Sequence, residues 1–244
     1  MITIYGETDT GLVRKSNQDR FDFKILSGLL AYAVLCDGMG GQSGGHIASE
    51  TATSFVAEAL ARDLKPGMGE SSLRHLMLSA AAGANALVFD KAMENEALAG
   101  MGTTIIIAVF EGDHAFIAHA GDSRAYCVSG GRAVQLTRDH TVVQMLLDIG
   151  EISPEDARNH PKRHYITRAV GVAPGVDADF IVYPFAPGDL ILLCSDGLYN
   201  YIQPQSMPEL LAECAQAGSV QSLIALARER GGGDNITAVL AVRK

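Results

Sequence analysis

A chain of 244 residues with a formal charge of -9 is long enough for one large domain with a substantial core, and too acidic for a general nucleic-acid binder, which needs clustered lysine and arginine to neutralise phosphates. The cysteines Cys36, Cys127, Cys194 and Cys214 lie far apart with no Cys-x-x-Cys pair, which speaks against a zinc knuckle or a redox motif and for small core residues. No apolar run approaches the roughly twenty residues of a membrane span, and the start Met1-Ile2-Thr3-Ile4-Tyr5 has no basic region ahead of an apolar core, so a cytoplasmic protein is expected.

Taken along the chain, strand-like segments fall at residues 2–8, 20–25 and 31–36. Two helical patterns follow, one carrying Ala48, Ala52, Phe55, Val56 and Ala59, the other Leu73, Leu76, Met77, Ala80, Ala84 and Leu87, with a turn between Lys65 and Glu70. Further strands are expected at 103–110, 114–119, 123–128 and 132–137. Glu111-Gly112-Asp113 and Gly130-Gly131 join neighbours across tight turns, the sign of antiparallel pairing. The run Ile105-Ile106-Ile107-Ala108-Val109-Phe110 does not alternate, which suits a central strand covered on both faces.

Between 139 and 169 the pattern changes to an inserted helical flap: a helix over 141–149 stops at Gly150, and Ser153-Pro154-Glu155-Asp156 opens a short one. Strands at 177–184, 189–195 and 236–242 enclose a second helical pair, with Ser206 and Ser219 as expected caps and Gly231 as the stop. The expected fold class is α+β: a central antiparallel β-sandwich flanked by pairs of antiparallel helices, in α-β-β-α layers. No linker divides it, so residues 1–244 read as one domain.

The chemistry is concentrated at strand ends. Two apolar strands run straight into an aspartate followed by glycine, at Asp37-Gly38 and Asp196-Gly197, and a third acid, Asp234, stands before the last strand. A carboxylate at the end of a buried strand is costly without a compensating cation, and acids so far apart in the chain can cooperate only after folding. The pattern reads as a site for hard divalent cations.

Six segments then carry a specific resemblance: Gly11-Leu12-Val13-Arg14 with Asn17-Gln18-Asp19, Asp37-Gly38-Met39-Gly40-Gly41, Gly102-Thr103-Thr104, Gly121-Asp122-Ser123-Arg124, Ser195-Asp196-Gly197-Leu198 and Gly233-Asp234-Asn235. In this order they resemble the bacterial metal-dependent serine/threonine protein phosphatases of the type 2C (PPM) family from end to end. The resemblance implies hydrolysis of phosphoserine and phosphothreonine by a water that bridges two divalent ions, Mn²⁺ or Mg²⁺. It implies Asp37 as the bridging ligand, Asp196 and Asp234 at the first ion, the Gly38 carbonyl at the second, Asp19 nearby, and Asp122 with Asp196 at a third, labile ion. Such ions prefer oxygen ligands and keep several waters, so a few aspartates and a carbonyl suffice.

Arg14 is the expected phosphate clamp, since a guanidinium donates parallel hydrogen bonds to phosphate oxygens and stays charged. Lys162 and Arg163, with Arg168, make the end of the flap basic and are expected to contact the phosphoprotein. Two departures stand out: Gln18 replaces a common glutamate, which weakens the second metal site, and Met39 stands where eukaryotic members carry histidine. His46, His140, His160 and His164 remain as histidines to place.

The glycines after Asp37 do not make a nucleotide loop, because Ser43 stands where the dinucleotide fingerprint needs glycine and no P-loop lysine follows. The alternative to catalysis is a pseudophosphatase that binds phosphoproteins without cleaving them; the intact set Asp37, Asp196 and Asp234 argues for catalysis. The expected partners are phosphorylated proteins, a serine/threonine kinase and its substrates or a regulatory phosphoserine in an anti-sigma-factor pathway. A free-standing monomer is expected, with no nucleic acid and no membrane.

Overall fold

The structure is a computed structural model that describes all residues except Asn159, with the side chains of Gln42, Ser43 and Arg158 also left out. Two antiparallel sheets stack face to face. One runs in the order β1 (Ile2–Asp9), β11 (Ile236–Arg243), β10 (Leu190–Cys194), β7 (Arg124–Ser129), β8 (Arg132–Gln135). The other runs β2 (Asp19–Ser27), β3 (Leu30–Met39), β5 (Ile105–Glu111), β6 (His114–Ala120), β9 (Asp179–Pro184), with the short β4 (Gly102–Thr103) on the end of β3. The expected strand over 103–110 is therefore broken at Thr104, a break that serves the site described below.

The central strand is sorted by alternation even though every residue on it is apolar. Ile105, Ile107 and Val109 face the core beneath α1 (Gly41–Asp63) and α2 (Glu70–Glu94), whereas Ile106, Ala108 and Phe110 face the opposite sheet. With both faces covered, no position on the strand needs a polar residue. The pair α6 (Met207–Ala217) and α7 (Gln221–Glu229) covers the other sheet through Leu211, Leu223 and Ile224 packed on Leu192 and Leu240. The layers are α-β-β-α as expected.

Some local expectations need correction. Helix α1 begins at Gly41, well ahead of Ala48 where its apolar pattern starts, because Gly40 takes a left-handed turn (φ 117°) directly after β3. Ser206 caps nothing: it closes a 3-10 turn over Pro204–Ser206, and its hydroxyl donates to the Gln203 carbonyl. Leu87 is 40% exposed on α2 rather than packed. The flap has the expected form. Helix α3 (Val142–Asp148) is capped by Thr141, Gly150 follows in the left-handed region, and α4 (Pro154–Arg158) starts at a Ser153/Asp156 reciprocal cap.

Candidate metal centre

The site forms where strands of both sheets end together. Asp37 lies near the end of β3, directly opposite Asp19 at the start of β2. Its backbone is tied on the other side: the Asp37 N–H donates to the Thr104 hydroxyl (2.9 Å), and the Asp37 carbonyl accepts from the Thr103 hydroxyl (2.9 Å) and the Thr104 N–H (2.9 Å). Thr104 also shares a hydrogen bond with Ser123 (2.7 Å), which couples the end of β3 to the Asp122 turn between β6 and β7. The break at Thr104 thus lets two consecutive residues serve Asp37 while β5 continues into the core.

Asp196 opens the short helix α5 (Asp196–Tyr199), two residues past the end of β10, and Asp234 lies in the loop that leads into β11. Glycines let these segments meet. A Cβ on Gly197 would stand 1.9 Å from the Asn235 carbonyl oxygen, and one on Gly38 would stand 2.0 Å from that of Gly45. At both positions backbone approaches too closely for any side chain.

Asp19 is fully buried behind this front. Its Oδ2 accepts from the hydroxyls of Ser195 (2.7 Å) and Thr237 (2.6 Å), while Oδ1 has no hydrogen-bond partner within the protein. The Thr237 proton is thereby committed, so the 2.7 Å contact with Thr8 has Thr8 as its donor, and Thr8 in turn accepts from Asn17 Nδ2 (2.8 Å). This chain of polar groups joins β1, β2, β10 and β11 across the gap between the sheets.

The electrostatics are those of acids awaiting a cation. Burial first, and then Asp19, Asp196, Asp122 and Asp234, push the Asp37 carboxyl well above its ordinary range. Asp196 is pushed up to about 8 by burial and then by Asp122 and Asp234, and Asp122 to about 6 by burial and then by Asp139. Burial also raises Asp19. The nearest compensation is Arg14, whose Nη2 donates to Asp234 Oδ2 at 2.7 Å. Hard oxygen donors, raised carboxyls and an orphaned buried carboxylate oxygen fit divalent cations of the Mg²⁺ and Mn²⁺ kind. Among the described residues no three acidic, imidazole or thiolate side chains close into a ready-made ion cage. The acids instead line an open cleft of about 750 Å³ in which waters would complete the coordination.

That cleft gathers Arg14, Asp37, Gly38, Asp122, Asp196 and Asp234; Asp19 stands behind it. A second groove of about 490 Å³ shares Asp122, Asp196 and His164 with the first and continues under the flap to Arg163. Lys162 is exposed but lines neither. Arg168 is not free for a substrate, since it pairs with Asp177 (3.3 Å) and Asp179 (3.0 Å).

Of the histidines, only His164 reaches the cleft, and burial with Arg163 beside it lowers its imidazole below the ordinary value. His46 bonds Arg20 and Glu50, and His160 accepts from the Lys162 N–H. His140 is buried, accepting from the Gly121 N–H at Nδ1 (3.1 Å) and donating from Nε2 to Asp179 (3.1 Å). Supporting residues that a reading of motifs passes over are Thr8 and Thr237; hydroxyls inside strands carry no local signal of the acid they meet.

Three comparisons place these features among known proteins. Residues 13–229 match the family model described as protein phosphatase 2C. The chain is 35% identical to the serine/threonine phosphatase stp of Listeria innocua over 237 residues, 97% of this chain and 94% of that protein. The fold superposes on the serine/threonine phosphatase of S. agalactiae with a TM-score of 0.93 at 33% identity, covering 100% of both chains. It also superposes on the catalytic domain of the serine/threonine protein phosphatase PstP in complex with two manganese ions, with a TM-score of 0.83 at 33% identity, covering 99% and 97% of the two chains.

Proposed function

This chain belongs to the protein phosphatase 2C family, and from that premise we propose how its residues perform the serine/threonine phosphatase reaction. The observation that carries the reading is the convergence of Asp37, Asp122, Asp196 and Asp234 on one cleft, with carboxyls raised by burial and by one another. Asp37, Asp196, Asp234 and the Gly38 carbonyl would hold two ions, and Asp122 with Asp196 a third. Manganese or magnesium held there would supply a water acidic enough to act as nucleophile at neutral pH.

The chain's own residues do the rest. Among the described residues Arg14 commits only its Nη2, to Asp234, so its remaining N–H groups can grip phosphate oxygens in the same cleft. Asp19, held by Ser195 and Thr237, keeps a second acid against the end of β3, opposite Asp37 in the strand ladder. As water oxygen bonds to phosphorus and gives up a proton, the bond from phosphorus to the serine or threonine oxygen breaks, and that oxygen leaves as the alcohol with a proton relayed by water.

The groove under the flap extends the cleft toward Arg163 and gives the flanking residues of a phosphoprotein a place to lie. Lys162 stands on the rim beyond it. The partners in this reading are cytoplasmic phosphoproteins and the serine/threonine kinase that modifies them; among the described residues no helix is long and apolar enough to cross a membrane. The reading takes the protein as a monomer.

The test is hydrolysis of p-nitrophenyl phosphate and of a phosphothreonine peptide with and without Mn²⁺, beside Asp196→Asn. Metal-dependent turnover lost in the variant supports the reading. Metal binding with no turnover of either substrate would overturn it in favour of a phosphoprotein-binding protein.

A further inference from the structure

Arg14 sits on an exposed stretch with no regular secondary structure, between β1 and β2. A guanidinium on such a loop would lose much of its value as a clamp unless the loop were held. The two ends of this loop meet at a single side chain. Asn235 Nδ2 donates to the Thr10 carbonyl (2.9 Å) and to the Ser16 carbonyl (3.0 Å), and Asn235 Oδ1 accepts from the Gln18 N–H (2.8 Å).

This clasp uses the full bonding capacity peculiar to a primary amide: two N–H donors on one atom and an acceptor on the other. Aspartate has the shape but would turn an oxygen toward two carbonyls. Asn235 is itself 5% exposed and is anchored, since its own N–H donates to Asp234 Oδ1 (2.8 Å) and the following residue enters β11. A second strap lies alongside, where the Leu12 N–H donates to the Gly232 carbonyl (2.8 Å) and Asp9 pairs with Arg228 (3.1 Å). The loop is therefore closed at its base and bound to the segment that carries Asp234.

We infer that Asn235 is a positioning residue for phosphate binding: it holds the Thr10–Ser16 loop shut so that Arg14 is presented to the cleft, and its loss weakens the grip on phosphate rather than the chemistry. The inference rests on the reading of Arg14 as the clamp. Asn235 touches no substrate in this account and acts through the loop.

The experiment is a double-mutant cycle on the full chain with Mn²⁺, using Arg14→Ala, Asn235→Ala and the pair, read as KM for a phosphothreonine peptide and as inhibition by inorganic phosphate. Loss of two or three net hydrogen bonds predicts that Asn235→Ala raises both constants roughly tenfold with kcat changed far less. In the Arg14→Ala background the same substitution should change neither constant further. Trypsin should also cut after Arg14 or Lys15 faster in Asn235→Ala than in the parent, a sign of an opened loop that a local change at the metals would not produce.

Equal, independent effects of Asn235→Ala in both backgrounds, or a loss that tracks a weakened Mn²⁺ affinity, would overturn the inference. If Arg14→Ala itself left KM and phosphate inhibition unchanged, the clamp reading would fail instead. Asn235→Ser is the second variant; failure of both to fold would assign Asn235 to the fold and likewise overturn the inference.

Discussion

Two groups of aspartates lie within one wall of this molecule and are treated in opposite ways. Around the base of the flap Asp139, Asp148 and Asp179 each have a basic partner. Asp139 is gripped by Arg124, whose Nε donates to Oδ1 at 2.9 Å and to Oδ2 at 3.1 Å and whose Nη2 donates to Oδ2 at 2.6 Å, Asp148 pairs with Arg138, and Asp179 takes both Arg168 and His140. Burial works against the charge of Asp179, yet His140 and Arg168 together hold its carboxyl below the ordinary range. A few residues away, Asp37, Asp122 and Asp196 face one another with their carboxyls pushed up. Paired acids are scaffold; acids buried together without cations are a site whose occupant comes from outside.

The largest effect should come from removing charge at the centre of the unpaired group. Asp37→Asn should lower turnover of both aryl phosphate and phosphopeptide at least about a hundredfold, more than loss of a supporting partner around a metal usually costs. Asp122→Asn should cost less, because in the proposed reading Asp122 would serve only the third ion. A fully active Asp37→Asn variant in a steady-state assay would mean that the centre lies elsewhere.

Next in size is the paired group, where the loss should be of stability. Arg124 carries Asp139 on one side and lies over the Tyr199 ring at 3.8 Å on the other, and breaking so enclosed a pair typically costs about 3 kcal/mol. Asp139→Leu should show that loss in urea unfolding, and adding Arg124→Met should recover most of it. A double variant as weak as the single one would count against the distinction between scaffold and site.

The two groups should also part company in their response to pH. A carboxyl raised in the folded state contributes stability that is present below its unfolded value near 4 and is lost as pH rises through its folded value. For Asp122 and Asp196 that window runs from about 4 through about 6 and about 8. Chelator-treated protein should therefore melt at progressively lower temperature from pH 5 to pH 8, by the equivalent of a few kcal/mol. Mn²⁺ should restore most stability at the alkaline end. Asp179, lowered when folded, contributes in the opposite sense, with stability lost only as pH falls below about 4. A melting temperature of the metal-free protein that rises with pH over this range would refute the assignment.

The smallest effect concerns the rim. Arg163→Glu should reduce turnover of a phosphoprotein several-fold while sparing p-nitrophenyl phosphate, and Lys162→Glu should do less because Lys162 lines neither groove. Equal loss on both substrates would place these residues outside substrate recognition.

Much of this could be read without coordinates where the signal is local. The non-alternating run Ile105–Phe110 marked the central strand, Gly112 and Gly130-Gly131 marked the hairpins, and Ser153 with Asp156 marked the start of α4. Asp37, Asp196 and Asp234 stood out because an acid after an apolar strand needs an explanation. The start of α1 at Gly41 escaped because its first turn is glycine-rich and has no side-chain cap. The pairing of Arg168 is not legible in the sequence, because a basic cluster says nothing of Asp177 and Asp179 arriving beside it.

The sequence by itself indicated the class of fold and, through acids that follow apolar strands, a site for hard divalent cations, because residue type and short spacing carry that information directly; the roles of single residues at that site came with the family resemblance and remain a proposal. Only the tertiary structure decided which groups are paired and which are left exposed to one another. Asp19 finds its hydroxyl at Thr237, 218 positions away, and Asn235 closes a loop begun 225 residues earlier. Such meetings are set by strand register and by glycines that let backbones touch, and neither leaves a mark in the local pattern.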